Sequence, residues 1–114
     1  MCAFFVEYCF LNQTMKSITA NGLKEKIENG EDFQLIDVRE PYEHEEFNIG
    51  GQLIPMNEIV QHPEKIEPGK PVIIYCRKGI RSQVVIQRLQ QKFPFANLYN
   101  LIGGTEAWRK QFGV

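Results

Sequence analysis

Segments with the pattern of β-strands alternate along this chain with segments that have the pattern of helices, and short loops join them. We predict strands at residues 33–39, 53–55, 72–75 and 97–101, and helices at residues 20–29, 41–47, 56–62, 80–93 and 105–112. Strands that alternate with helices in this way form parallel sheets with helices on both faces. The pattern therefore predicts an α/β fold.

The length of 114 residues fits one domain with a modest core. A formal net charge of −1 gives no reason to expect nucleic acid or an anionic membrane as a partner. The three cysteines, Cys2, Cys9 and Cys76, are odd in number and irregularly spaced, unlike those of a secreted disulfide scaffold. We expect a cytoplasmic protein with no metal and no organic cofactor.

The first fourteen residues differ from the rest, because residues 1–11 are strongly apolar. This segment is too short to span a bilayer, contains Glu7, and lacks the basic flank and cleavage site of a signal peptide. We therefore expect an N-terminal extension over residues 1–14, whose role the sequence does not assign, and a domain over residues 15–114. Whether Cys2 or Cys9 can resolve an adduct on Cys76 is left open, as is the oligomeric state.

Cys76 follows the most apolar predicted strand, and three cations come within five residues after it: Arg77, Lys78 and Arg81. The backbone N–H groups of such a loop converge near the N-terminus of the next helix, where they stabilise the charge of a thiolate. A cysteine at the end of a strand is often only a small buried apolar residue. Here its neighbours are charged, which favours a nucleophile that acts on an anionic substrate.

Asp37 and Arg39 end another predicted strand, so a parallel sheet brings them to the same edge as Cys76. We interpret them as structural residues that support the loop through hydrogen bonds and a salt bridge. His44, among glutamates, and His62, beside a proline, are interpreted as surface residues. No histidine is then placed to act as a base for the cysteine, which disfavours a protease-like Cys–His pair.

Three motifs occur in order along the chain: LIDVRE at residues 35–40, YCRKGIRS at residues 75–82 and LIGGTEAW at residues 101–108. They resemble the first signature, the active-site loop and the C-terminal signature of the rhodanese-like (sulfurtransferase) family. The resemblance extends from about residue 17 to residue 112 and implies a single five-stranded parallel sheet with helices on both sides. One departure is Asn48, which stands where many members have a histidine.

For the site, the resemblance implies that Cys76 is the catalytic residue and forms a persulfide. The substrate-binding residues are then Arg77, Lys78, Gly79, Ile80 and Arg81, and the loop-supporting residues are Asp37, Arg39 and Ser82. Arg81 either points into the pocket or pairs outward with a carboxylate, and Ser82 is expected to cap the following helix. The implied partners are a small anionic sulfur donor (thiosulfate, polysulfide or persulfide) and an acceptor, either cyanide or a thiol, including a protein thiol.

Two other functions compete with sulfur transfer. Phosphatases of related fold carry a Cys-x5-Arg loop, whereas here the arginine is the fifth residue after Cys76 and Ser82 is the sixth. The shorter loop is too tight for a phosphate ester, which disfavours a phosphatase or an arsenate reductase. The second alternative is a binding or regulatory module whose cysteine takes no part in catalysis. A cysteine within a cationic loop argues against it.

Overall fold

The computed structural model describes residues 15–113. Its strands are β1 (Lys16–Ile18), β2 (Gln34–Asp37), β3 (Gln52–Leu53), β4 (Val72–Tyr75) and β5 (Leu98–Leu101). Its helices are α1 (Ala20–Glu28), α2 (Pro41–Glu46), α3 (Met56–Gln61), α4 (Ile80–Lys92) and α5 (Gly104–Phe112), with a short 3-10 helix at Pro63–Lys65. All pairings are parallel in the order β1-β5-β4-β2-β3, so β4 lies at the centre of the sheet.

The central strands contribute side chains to two separate cores, because successive residues of a strand point to opposite faces. Ile36 and Ile74 belong to one core, which they share with residues of α3 and α4. Ile73 and Tyr75 belong to the other, which includes Leu23 of α1 and part of α5. Helices therefore cover both faces of the sheet, and the predicted α/β arrangement is confirmed.

The strand β1 is absent from the pattern-based prediction, which found four strands; only the family resemblance implied a fifth. It is a three-residue edge strand in which Ser17 pairs with Asn100 of β5. Its first two residues are exposed and Ile18 is half-buried, so no apolar alternation marks it in the sequence. Helix α4 ends one residue earlier than predicted, and Phe93 is its exposed C-cap.

The predicted extension of residues 1–14, with Cys2 and Cys9, lies outside the described residues, and the domain boundary at residue 15 stays a prediction. Within residues 15–113, no helix is long and apolar enough to cross a membrane. The same part of the chain contains no group of three or more Asp, Glu, His or Cys side chains arranged to hold a metal ion.

Candidate active site

Cys76 lies directly after β4 at the carboxyl edge of the sheet, and only 1% of its surface is exposed. The N–H of Gly79 donates to the sulfur at 3.1 Å, and the N–H of Ser82, in the first turn of α4, donates at 3.4 Å. The dipole of the 13-residue helix α4 acts in the same direction. Both the backbone donors and the helix therefore stabilise negative charge on Sγ.

The turn at residues 77–79 aims these N–H groups at the sulfur. Gly79 is the N-cap of α4 and has a φ of +90°, a left-handed conformation that residues with a Cβ rarely adopt. A Cβ on this residue would lie 3.1 Å from the nitrogen of Gly103 and 3.2 Å from the carbonyl oxygen of Leu101. The shape of the loop thus depends on a glycine at this position.

The prediction that Ser82 caps α4 is wrong, because Gly79 occupies the cap and Ser82 is buried inside the first turn. Its hydroxyl donates to Oδ1 of Asn100 on β5 and lies 3.4 Å from Sγ of Cys76. Nδ2 of Asn100 in turn donates to the carbonyl of Gly79 at 3.1 Å. Sequence reasoning missed Asn100, and nothing in its local pattern marks it as part of a site.

The start of α5 holds the loop from the other side. The N–H of Thr105 donates to the carbonyl of Cys76 at 2.9 Å, and that of Glu106 donates to the carbonyl of Arg77 at 3.0 Å. Gly104 packs so closely that a Cβ there would lie 2.2 Å from the oxygen of Cys76. Sequence reasoning gave this segment no role in the site, although its Gly-Gly pair is a signal for close backbone approach.

Arg81 pairs with a carboxylate and also lines the pocket in front of the sulfur, so the two alternatives that the sequence left open do not exclude each other. Its Nη1 and Nη2 donate to the two carboxylate oxygens of Glu43 on α2, at 2.8 and 2.9 Å. The hydrogen-bonded guanidinium lowers the pKa of Glu43 to about 2, from an ordinary value of 4.5. The same carboxylate raises the pKa of Arg81, so the pair stays charged at neutral pH.

The space in front of the sulfur is a pocket of about 230 Å³, lined by Cys76, Arg77, Lys78, Ile80 and Arg81. Arg77 is largely exposed, and its Nε donates to Oε2 of Glu106 at 3.0 Å. Lys78 is exposed and has no ion-pair partner within residues 15–113. The predicted substrate-binding residues thus surround the sulfur, and Gly79 does so through the N–H that it donates to Sγ. Their role in binding stays a prediction.

Asp37 and Arg39 form a buried bidentate ion pair with N–O distances of 2.9 and 2.8 Å. Arg39 also donates to the carbonyl of Phe47 at 2.6 Å, and Nδ1 of His44 lies 2.9 Å from Oδ2 of Asp37. The interpretation of His44 as a surface residue is wrong, because its ring is hydrogen-bonded to a buried carboxylate. These contacts hold α2 in place. The Asp37–Arg39 pair therefore supports the cysteine loop indirectly, because Glu43 on α2 binds Arg81 of the loop.

These features define an α/β protein with a buried cysteine in a cation-lined loop at the end of a central parallel strand, where two backbone N–H groups donate to its sulfur. A family model described as the rhodanese-like domain matches residues 19–111. The chain therefore belongs to the rhodanese-like domain family, as the sequence motifs predict.

Two curated relatives and one solved structure illustrate the similarity. Thiosulfate sulfurtransferase GlpE of Coxiella burnetii is 39% identical over 79 residues, which cover 68% of this chain and 73% of the relative. The Bacillus subtilis protein YqhL is 35% identical over 102 residues, covering 89% and 78% of the two chains. The crystal structure of a rhodanese-like domain protein from Staphylococcus aureus, 32% identical, has a TM-score of 0.73 over 82% of this chain and 91% of that one.

Proposed function

We propose that this protein is a cytoplasmic, single-domain sulfurtransferase that moves a sulfane sulfur from an anionic donor to a thiol or cyanide through a persulfide on Cys76. The observation that carries the proposal is the position of Sγ, which receives two backbone N–H groups at the floor of a cation-lined pocket. The similarity of this chain to a thiosulfate sulfurtransferase supports the same activity.

In the first step, the thiolate of Cys76 attacks the outer sulfur of the donor. With thiosulfate, the new S–S bond forms as the S–S bond of the donor breaks, and sulfite leaves with the electron pair of that bond. The negative charge of the thiolate thereby moves to the outer sulfur of the persulfide. The N–H groups of Gly79 and Ser82 donate to Sγ, so they stabilise the attacking thiolate before the charge moves outward.

In the second step, an acceptor attacks the outer sulfur of the persulfide. Cyanide takes the sulfur to form thiocyanate, or a thiolate takes it to form a new persulfide, and the Cys76 thiolate is regenerated. The cycle is therefore of the ping-pong type, with a covalent intermediate between two half-reactions. Lys78 and Arg77 are the residues we assign to donor binding, and Lys78 is the one whose charge no carboxylate offsets within the described chain.

The burial of Cys76 limits which groups reach its sulfur. With 1% of the residue exposed, attack requires a slender electrophile, and a single terminal sulfur atom is slimmer than a phosphoryl group. The loop is also held by α5 through two backbone hydrogen bonds, which opposes its widening. Both features favour sulfur transfer over phosphate ester hydrolysis.

The direct test is intact-protein mass spectrometry after incubation with thiosulfate or a polysulfide under non-reducing conditions. We expect a mass gain of one sulfur atom on Cys76, lost again on addition of cyanide or a thiol. Cys76→Ser is the matched control, because a hydroxyl replaces the thiol in the same position, and it should neither gain sulfur nor produce thiocyanate.

Equal thiocyanate production by the wild type and Cys76→Ser would refute the proposal. Folded, reduced protein that forms no adduct with thiosulfate, polysulfide or an organic persulfide would also refute it, and would favour the binding or regulatory module. In that case the cationic loop would be a site for an anionic partner, and Cys76→Ser would bind that partner with the affinity of the wild type.

A further inference from the structure

Two of the three cations in the cysteine loop have carboxylate partners from distant parts of the chain. Glu43 on α2 holds Arg81 through two hydrogen bonds, and Glu106 on α5 lies 3.0 Å from Nε of Arg77. Lys78 has no such partner within residues 15–113. Three positive charges are thus offset by two negative ones, and a ligand in the pocket meets a net charge much smaller than the loop sequence indicates.

We propose that Glu43 and Glu106 determine the charge of the preferred sulfur donor. They tune the pocket to sulfane donors with one negative charge, such as organic persulfides and thiosulfonates, and against dianions such as thiosulfate. This inference rests on the proposed sulfur transfer through Cys76 and goes beyond it, because it assigns the donor class and two residues that select it.

The physical basis is that a Coulomb energy is proportional to the product of the two charges. A given change in the charge of the site therefore acts twice as strongly on a dianion as on a monoanion. If neutralising one carboxylate raises the binding of a monoanion by some factor, it raises that of a dianion by the square of the factor. For a pocket open to solvent we expect about 2- to 3-fold for the monoanion and about 4- to 10-fold for the dianion.

The two carboxylates should differ in how strongly their charge affects donor binding. The side chain of Glu43 is 13% exposed and that of Glu106 is 47% exposed, so solvent screens Glu106 more. The other charged groups near the loop, Glu46, Arg39 and Arg109, line an adjacent cavity of about 220 Å³ that Arg77 borders. They remain in place in every variant below, so their influence cancels in the comparison.

The experiment compares kcat/KM for two donors, thiosulfate and methanethiosulfonate, with cyanide as acceptor. A methyl group replaces one oxygen in methanethiosulfonate, which therefore carries one negative charge. Glu43→Gln and Glu106→Gln each keep a hydrogen-bonding oxygen and remove one negative charge, and Lys78→Ala removes one positive charge. Glu31→Gln is the matched control, because Glu31 pairs with Lys26 before β2, at the opposite edge of the sheet.

We expect Glu43→Gln and Glu106→Gln to raise kcat/KM about 4- to 10-fold for thiosulfate and about 2- to 3-fold for methanethiosulfonate, with the larger gain for Glu43→Gln. Lys78→Ala should lower both values, and that for thiosulfate more. Glu31→Gln should change neither. The contrast between donors should shrink as salt is added.

Equal changes for the two donors, or no gain with thiosulfate in either glutamine variant, would overturn the inference while leaving sulfur transfer intact. Wild-type protein that is inactive with both donors and gains no sulfur in the mass spectrum would overturn the proposed function and this inference together. The two failures are therefore distinguishable.

Discussion

Replacing Gly104 with alanine is expected to uncouple the cysteine loop from α5. The φ of Gly104 is +56°, and a Cβ there would lie 2.2 Å from the oxygen of Cys76 and 2.6 Å from the carbonyl carbon and oxygen of Arg77. All three atoms belong to the backbone, so no side chain can move aside. The loop or the helix must shift, and the N–H groups of Thr105 and Glu106 then lose their bonds to those carbonyls.

The cost of this change in the free energy of unfolding has two parts. The left-handed conformation costs alanine about 1 kcal/mol, and two lost backbone hydrogen bonds cost about 1 kcal/mol each. We therefore expect Gly104→Ala to lower the free energy of unfolding by about 3 kcal/mol. Gly30→Ala is the matched control, because Gly30 has a φ of +64° but no atom within 4 Å of the added Cβ. It should cost only about 1 kcal/mol.

Urea unfolding of the two variants measures this difference, and thiocyanate production from thiosulfate measures its effect on the site. Gly104→Ala should also lose activity at urea concentrations where it is fully folded, because the shifted loop no longer aims its N–H groups at Sγ. The reasoning is refuted if the two variants unfold within about 0.5 kcal/mol of each other and Gly104→Ala transfers sulfur at the wild-type rate.

Two further predictions concern buried or half-buried charge. The folded-state pKa of Glu43 is about 2, below its ordinary value of 4.5, so its ion pair stabilises the fold above pH 4.5 and this contribution is lost as the pH falls toward 2. Urea unfolding should show a difference between the wild type and Glu43→Gln of about 1–2 kcal/mol at pH 7, after allowance for solvent at the exposed guanidinium. A difference that does not narrow between pH 5 and pH 3 would contradict this. Asp37→Asn leaves the buried guanidinium of Arg39 without its counter-charge and should lower the free energy of unfolding by about 3 kcal/mol. The control Asp32→Asn, at an exposed carboxylate, should leave the urea midpoint unchanged. Equal midpoints for the two variants would refute the role of the buried pair.

The α/β class and the position of Cys76 could be predicted because both depend on local patterns. All four residues of β4 are buried, and a strand buried on both faces appears in the sequence as an unbroken apolar run. The charged residues that follow it mark the end of the strand equally clearly. In contrast, β1 is a short edge strand with two exposed residues, and only its pairing with β5, more than eighty residues later, defines it.

The prediction of Ser82 as the helix cap is wrong for a physical reason that residue preferences at helix ends do not take into account. Serine is a preferred N-cap, and this preference places it at the start of a helix. In this loop the cap must have a left-handed backbone that turns its N–H toward Sγ, and a glycine with a φ of +90° meets that requirement. Ser82 then lies within the first turn of the helix, where its hydroxyl donates to Asn100.

The carboxylate partners of the loop cations could not be predicted from the loop sequence, because they are distant in the chain. Glu43 is 38 residues before Arg81, and Glu106 is 29 residues after Arg77. The sequence shows three cations and leaves the pairing of Arg81 open, whereas the fold leaves only Lys78 without a carboxylate in the described chain. The backbone N–H groups of Gly79 and Ser82 are held by the turn, the helix and Asn100, and not by the charged side chains of the loop. In the proposed mechanism, thiolate stabilisation thus depends mainly on these backbone groups, and we propose that the side-chain charges select the donor.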